Sequence, residues 1–379
     1  MPRSTEFRRD IIATGARPRV AIIGVRGYPS FYGGFETAVR ALAPYLADHD
    51  WDVTVYSREE PGTEGDPRVH VVRTSGLESK SLSTLSYGFT ASIDALGRHR
   101  PDVALVMNVA NGFFLPLLNM RGVPTLVNVD GMEWEREKWG RLAKFMFKTG
   151  ARMTGWWGTK LVYDSREIAR RWKEDFGRDG VFIPYGGTLM SEPRVDVGWP
   201  HRSYVLFVAR FVPENTVEEF FRAVPAIAKS HQVVIVGSSA YGGPLDKRAA
   251  ELDTLPNVSW LGHVSNDDLL LSLWNQAGVY VHGHSVGGTN PALVQAMACG
   301  APIVARDTPY NREVLGPEAQ FFEPSAESII GAVSSMLANP EVAEKSSHRN
   351  SQRAAESYSW DSICAGYETA LTSLLRVWR

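Results

Sequence analysis

The sequence is poor in cysteine. Its 379 residues include only Cys299 and Cys364, too few for a disulfide framework and without metal-ligand spacing, which fits a reducing compartment. No apolar run approaches the about 18 residues that a membrane-crossing helix needs. Charge of one sign is also missing. The 40 Lys and Arg against 42 Asp and Glu leave a net charge of −2, so no basic footprint points to nucleic acid. Residues 1–17 carry Arg3, Arg8, Arg9 and Arg17 but no apolar segment of signal-peptide type, and are expected to form a disordered basic arm. Low-complexity tracts and short repeats are absent. These absences leave a globular cytoplasmic protein, with peripheral contact to the inner face of a membrane still open.

A hydrophobic content of 44% and a charged content of 22% are ordinary for a chain with well-formed cores. The length suits two domains. Short apolar runs at 19–24, 52–57, 102–108, 125–130, 160–164 and 181–184 alternate with helical patterns at 36–47, 85–98 and 165–176. A second series of runs follows at 204–209, 232–237, 258–261, 279–282, 302–305 and 319–322, with helices that include 217–229, 266–276 and 291–299. Continuous rather than alternating apolar character marks parallel strands buried on both faces. Repeated βα units of this kind predict two doubly wound α/β domains. The expected boundaries are 18–187 and 188–359, with 360–379 returning as a helix to the first domain. Ligands of such sheets bind beyond the carboxyl ends of the strands, here expected in a cleft that the two domains face.

In the first domain, Gly33 and Gly34 precede a helix that begins near Glu36. Such glycines either aim backbone amides at an anion or simply make a tight turn, and Glu36 could serve the helix dipole. Their spacing is not the dinucleotide fingerprint, which leaves a dehydrogenase unsupported. Asp130 ends the fourth run and leads into Glu133, Trp134, Arg136 and Trp139. It suits hydrogen bonding to a hydroxyl nucleophile, with a helix cap as the alternative. Over Arg141–Trp157, Arg141, Lys144, Lys148 and Arg152 fall on one helix face, with Leu142, Phe145, Met146, Met153 and Trp157 expected largely elsewhere. That face is either solvated or rests on a membrane surface.

In the second domain, Arg210 ends a strand and could bind a diphosphate bidentately or form an inter-domain ion pair. Gly287, Gly288, Thr289 and Asn290 precede a helix opening at Pro291, an arrangement that points amides and a positive dipole end at an anion. Gln295 lies one turn on and could offer its amide to sugar hydroxyls.

These stretches, 24–37, 129–139, 210–215 and 285–313, resemble the retaining glycosyltransferases of family 4, of GT-B architecture. The first domain is similar to a bacterial branch that includes rhamnosyltransferases for cell-surface polysaccharides. The resemblance implies a nucleoside-diphosphate sugar as donor, a saccharide or lipid-linked acceptor, and neither cofactor nor metal. Donor contacts would come from Gly33, Gly34, Arg210, Asn215, Gly287, Gly288, Thr289, Asn290 and Gln295. Asp130, Glu133 and Trp134 would meet the acceptor, with Asp130 and Arg210 as the catalytic pair. Two positions depart from the broad family: its paired glutamates correspond to Gly287 and Gln295 here. Gln295 cannot supply a carboxylate, and Asn215 replaces a frequent cation. No Asp-x-Asp pair at a strand end suggests a metal clamp. Front-face transfer with retention is the expected chemistry. A sugar-nucleotide epimerase and a non-catalytic sugar-nucleotide-binding partner are the alternatives.

Overall fold

The structure, a computed structural model, describes residues 17–30, 33–59, 65–77, 83–97, 100–136, 139–239 and 242–377. Apart from Arg17, the expected basic arm lies outside these residues, as do Phe31, Tyr32, Glu137 and Lys138 of the motif stretches. The chain divides into two compact units. One comprises Met1–Trp134, Arg141–Ile183 and Ile363–Arg379; the other comprises Glu135–Gly140 and Pro184–Ser362.

Among the described residues the first unit is built on seven strands: β1 (Arg19–Ile23), β2 (Asp52–Ser57), β3 (His70–Arg73), β4 (Val103–Met107), β5 (Thr125–Asn128), β6 (Lys160–Tyr163) and β7 (Val181–Phe182). They form one parallel sheet in the order β3-β2-β1-β4-β5-β6-β7. In the second unit β8 (Tyr204–Val208), β9 (Gln232–Val236), β10 (Val258–Trp260), β11 (Val279–His282), β12 (Ile303–Arg306) and β13 (Gln320–Phe322) repeat the plan. Their order is β10-β9-β8-β11-β12-β13, again all parallel. Each sheet therefore reverses its winding once, between β1 and β4 and between β8 and β11. Those are the switch points at which doubly wound sheets open a crevice for ligand.

Why the strands read as continuous apolar runs is visible in the second core. Tyr204, Leu206, Val234, Tyr280 and Ile303 pack on one face of the sheet. Their chain neighbours Val205, Phe207, Val233, Val281 and Val304 pack on the other. A strand covered by helices on both sides has no solvent face on which to place polar residues. Helix starts follow local chemistry as well. Ser165, Asn266, Thr308 and Ser325 each accept a backbone N–H of the first turn with their side chains, and such caps contribute roughly 1 kcal/mol apiece.

Two kinds of element escaped the sequence pattern. β3 is an edge strand whose residues are half-buried or exposed, so its apolar signal is weak. Leu115–Met120, Pro244–Leu252, Ala326–Leu337 and Pro340–Ser357 are helices besides those the pattern named.

Candidate functional site

At the switch point of the second sheet the chain leaves β8 through Arg210 and leaves β11 through the loop 283–290. Arg210 is exposed, but its backbone is held. Its carbonyl accepts from Val212 N at 2.9 Å and from Asn215 Nδ2 at 2.7 Å. The other end of the Asn215 amide, Oδ1, lies 2.6 Å from His284 Nδ1. That contact makes Nδ1 the donor and leaves His284 Nε2 as an acceptor. Asn215 is 7% exposed, so both ends of its amide are committed to protein. Asn215 thus braces Arg210 against the loop.

Gln295 is likewise engaged by the protein. Its Oε1 accepts from Thr188 N at 3.0 Å and its Nε2 donates to Thr188 O at 2.8 Å. A carboxylate could accept but not return a hydrogen bond to the carbonyl. Glutamine at this position therefore suits the clasp on the chain just after Gly187. Asn290 also has a prior task. Its side chain accepts from Ala292 N at 2.9 Å, capping the helix Pro291–Ala298. With Pro291 lacking an N–H and Ala292 capped, the first turn has little bare N–H to offer. What this end still presents is the loop Gly287, Gly288 and Thr289 and the positive end of the helix dipole. Gly287 adopts φ +86°, a left-handed conformation that a glutamate would occupy only under strain. The point where its Cβ would stand is 3.4 Å from Arg136 Nη2 and 3.8 Å from His284 Nε2.

In the first unit, Gly33 is the extended residue before the helix Gly34–Asp48, with no side-chain cap. The loop that Gly24 opens is closed by Glu36, whose Oε1 accepts from Arg26 N at 3.0 Å. Glu36 Oε2 comes within 3.1 Å of where a Cβ on Gly33 would stand. The glycine pair thus has a carboxylate beside it, and a neutral part of a ligand suits it better than a phosphate.

Asp130 stands at the end of β5 in a left-handed conformation, φ +59°, which costs a non-glycine residue roughly 1 kcal/mol or more. It is held there by a chain of bonds. Its N–H donates to Asn128 Oδ1 at 3.0 Å, and Asn128 Nδ2 donates to the Tyr367 hydroxyl at 2.7 Å. Tyr367 comes from the C-terminal helix Trp360–Val377. Glu133 and Trp134 do not share this setting. Glu133 is 4% exposed, and the Trp134 indole packs edge-on against Trp172 and Phe176. Both are thus more enclosed by the protein than Asp130.

The helix Arg141–Trp157 buries Gly150, Ala151, Thr154 and Gly155, small residues that let it approach the backbone of residues 109–112 closely. Its aromatics therefore face outward with its cations: Phe145, Trp156 and Trp157 are exposed, and so are Arg141, Lys148 and Arg152. Both the cations and the large apolar residues thus lie largely off the buried face, because small residues fill it.

His282, the last residue of β11, is 3% exposed. Its Nδ1 meets the Tyr280 hydroxyl at 3.0 Å, and its Nε2 has no hydrogen-bond partner among the described residues. Burial pushes its pKa down to about 3. Burial, then the charges of its neighbours, also lowers His284. A depressed imidazole contributes its full stability above the unfolded value near 6.5 and loses it as pH falls toward the folded value. We expect stability to drop by about 1.4 kcal/mol per pH unit for His282 once pH is below about 6.5. Asp66, Asp246 and Asp307 are also lowered, from 3.8, and so add nothing until pH is well below 5. Urea midpoints at pH 7, 6 and 5 would read this slope, and His282→Gln should flatten it. An unchanged slope in that variant would assign the acid sensitivity elsewhere. The two cysteines are free and buried. Burial raises the Cys299 thiol to about 11, which keeps it unreactive.

Comparison with known proteins now adds to this geometry. Residues 33–186 match the family model of the glycosyl transferase 4-like domain, and residues 194–356 that of glycosyl transferases group 1. An uncharacterised glycosyltransferase of Methanocaldococcus jannaschii is 28% identical over 203 residues, 49% of this chain and 52% of that protein. The phosphatidyl-myo-inositol mannosyltransferase of Mycobacterium leprae is 29% identical over 225 residues, 55% of this chain and 58% of that enzyme. The matched part thus spans little more than half the length of these two relatives. The MMP α-(1→4)-mannosyltransferase of Mycolicibacterium hassiacum is 25% identical over 403 aligned positions, 92% of this chain and 96% of that enzyme. Sucrose-phosphate synthase from Thermosynechococcus elongatus superposes with a TM-score of 0.79 at 19% identity, covering 95% of this chain and 100% of that one. The Anabaena protein HepE in complex with UDP-glucose gives 0.74 at 14%, covering 94% and 99%. Both share the GT-B fold. With two family models in chain order and a matching fold throughout, the chain belongs to the group 1, family-4-like glycosyltransferases of the GT-B fold.

Proposed function

We propose that the protein transfers a hexosyl group, with retention of configuration, from a nucleoside-diphosphate sugar to a saccharide or lipid-linked acceptor in the synthesis of a surface polysaccharide or glycolipid. The observation that carries this reading is the pairing at the second sheet's switch point. Arg210 at the end of β8 and the glycine loop at the end of β11 flank the place where such sheets bind phosphates. The mannosyltransferase relatives and the UDP-glucose complex of the Anabaena protein support a sugar nucleotide as donor.

In this reading Arg210 takes the departing diphosphate, with Gly287, Gly288 and Thr289 supplying backbone dipoles toward the same charge. Fixed donors of this kind stabilise the leaving group without a divalent ion or a cofactor. Asp130 orients the acceptor hydroxyl, its strained backbone held by Asn128 and Tyr367. The departing phosphate oxygen helps remove the proton, so transfer proceeds on the face that the donor leaves.

A lipid-linked acceptor accords with the outward face of Arg141–Trp157. Leu142 is 75% exposed, Phe145 62% and Trp156 72%, interleaved with exposed Arg141, Lys148 and Arg152. Apolar rings beside cations suit the surface of an anionic bilayer. Among the described residues no helix is long and apolar enough to cross one.

The test is a calorimetric screen against UDP, GDP, dTDP and their glucose, mannose and rhamnose conjugates, followed by transfer assays with and without phosphatidylglycerol vesicles. We expect one nucleotide series to bind and vesicles to bind the protein. Isomerisation of the donor without acceptor would favour an epimerase. Tight binding with neither transfer nor hydrolysis would favour a non-catalytic partner, and no binding at all would end the donor reading.

A further inference from the structure

Segment Glu135–Gly140 lies in sequence between two pieces of the first unit, yet it clusters with the second. It brings Arg136, half-buried, over the loop that follows β11. Arg136 Nη2 stands 3.4 Å from the position a Cβ on Gly287 would take, and His284 Nε2 3.8 Å from the same point. A side chain at 287 would fill that gap; glycine keeps it open. The positive charges of both Arg136 and Arg210 are felt by His284, which places the two guanidinium groups on one neighbourhood. His284 itself adds no third charge there, since burial and those cations keep it neutral, and Asn215 fixes its tautomer.

Two guanidinium groups beside a neutral imidazole suit a diphosphate better than a single phosphate. We propose that Arg136 is the second guanidinium of the donor site and, with Arg210, clamps the diphosphate across Gly287. This rests on the donor reading above. It assigns to a residue of the 135–140 segment the positive charge that Asn215 does not provide, and it explains why position 287 is glycine in a left-handed conformation: the space belongs to a cation and its anion.

The experiment measures affinities by calorimetry for the nucleoside diphosphate that the wild type prefers, the matching monophosphate, and inorganic pyrophosphate. These are compared in wild type, Arg136→Ala, Arg136→Lys and Arg210→Ala. Removing one charge-assisted hydrogen-bond donor from an anion site weakens binding about 10- to 100-fold. We expect that weakening in Arg136→Ala for the diphosphate and for pyrophosphate, with the monophosphate changed less than about threefold and partial recovery in Arg136→Lys. Equal losses for diphosphate and monophosphate, or no loss while Arg210→Ala is impaired, would overturn the assignment. Pyrophosphate separates the clamp from the donor reading. If it binds in an Arg136-dependent way but no nucleotide does, the clamp stands and the donor reading fails; if neither binds to wild type, both fail. Thermal melting of Arg136→Ala close to wild type excludes misfolding, and Arg136→Lys, which keeps charge and length, provides the same comparison should the alanine variant not fold.

Discussion

Arg210→Ala is expected to lower kcat/KM for glycosyl transfer by about 100- to 1,000-fold while leaving thermal stability within a degree or two of wild type. The two halves of that expectation have separate causes. Arg210 is exposed, and no core packing depends on its side chain. Its backbone is held independently, by Val212 N and Asn215 Nδ2 on the carbonyl, so the loop should keep its shape when the guanidinium is removed. What disappears is a donor aimed at the charge that develops on the leaving diphosphate, an interaction worth more in the transition state than in the ground state. The loss should therefore appear in kcat as well as in donor affinity. Steady-state kinetics with the preferred sugar nucleotide would decide it. Activity within a few-fold of wild type would remove Arg210 from the mechanism.

Gly24→Ala is expected to have the largest effect on stability, about 3 kcal/mol or more, felt in the first unit. Gly24 follows β1 with φ +98°, a conformation that alanine adopts only under strain. A Cβ there would stand 2.3 Å from the Met107 carbonyl oxygen and 2.6 Å from Asn111 Nδ2. Neither can retreat cheaply. Met107 is the fully buried last residue of β4, and its carbonyl accepts from Asn111 Nδ2 at 2.7 Å. Relief would require parting β1 from β4, which are paired from Val20–Val103 to Ile23–Val106, at the switch point itself. Urea unfolding followed by tryptophan fluorescence should show an early transition in the variant. A chain of two units need not unfold in one step, so the second unit's transition serves as an internal reference. A single transition at the wild-type midpoint would mean that the close approach is not a constraint.

Much of the architecture was legible locally. Apolar runs placed twelve of the thirteen strands among the described residues, because burial on both faces leaves an unbroken signature in the residues themselves. Ser165 and Asn266 marked helix starts by the chemistry of the next turn. Glycines at 33 and 34 and at 287 and 288 marked the loops before two helices, although not what those loops approach. β3 was missed because an edge strand with exposed residues carries no such signature.

The roles of individual polar side chains were not legible, and for one physical reason. A hydrogen-bonding group is assigned by its partner, and the partners here are far away in the chain. Gln295 looked available for a sugar, but Thr188 occupies both ends of its amide. Asn215 looked like a weakened cation site, but Arg210 and His284 claim it. Trp134 was expected to meet an acceptor, and its ring packs against Trp172 and Phe176. Asp130 owes its posture to Tyr367, in the last helix. Sequence by itself determined the two α/β units, the loops at their strand ends and the residue types gathered there, because secondary structure and burial are set by short-range periodicity. Only the tertiary structure decided which of those residues remain available for ligand, because long-range packing chooses which donors and acceptors the protein uses up on itself.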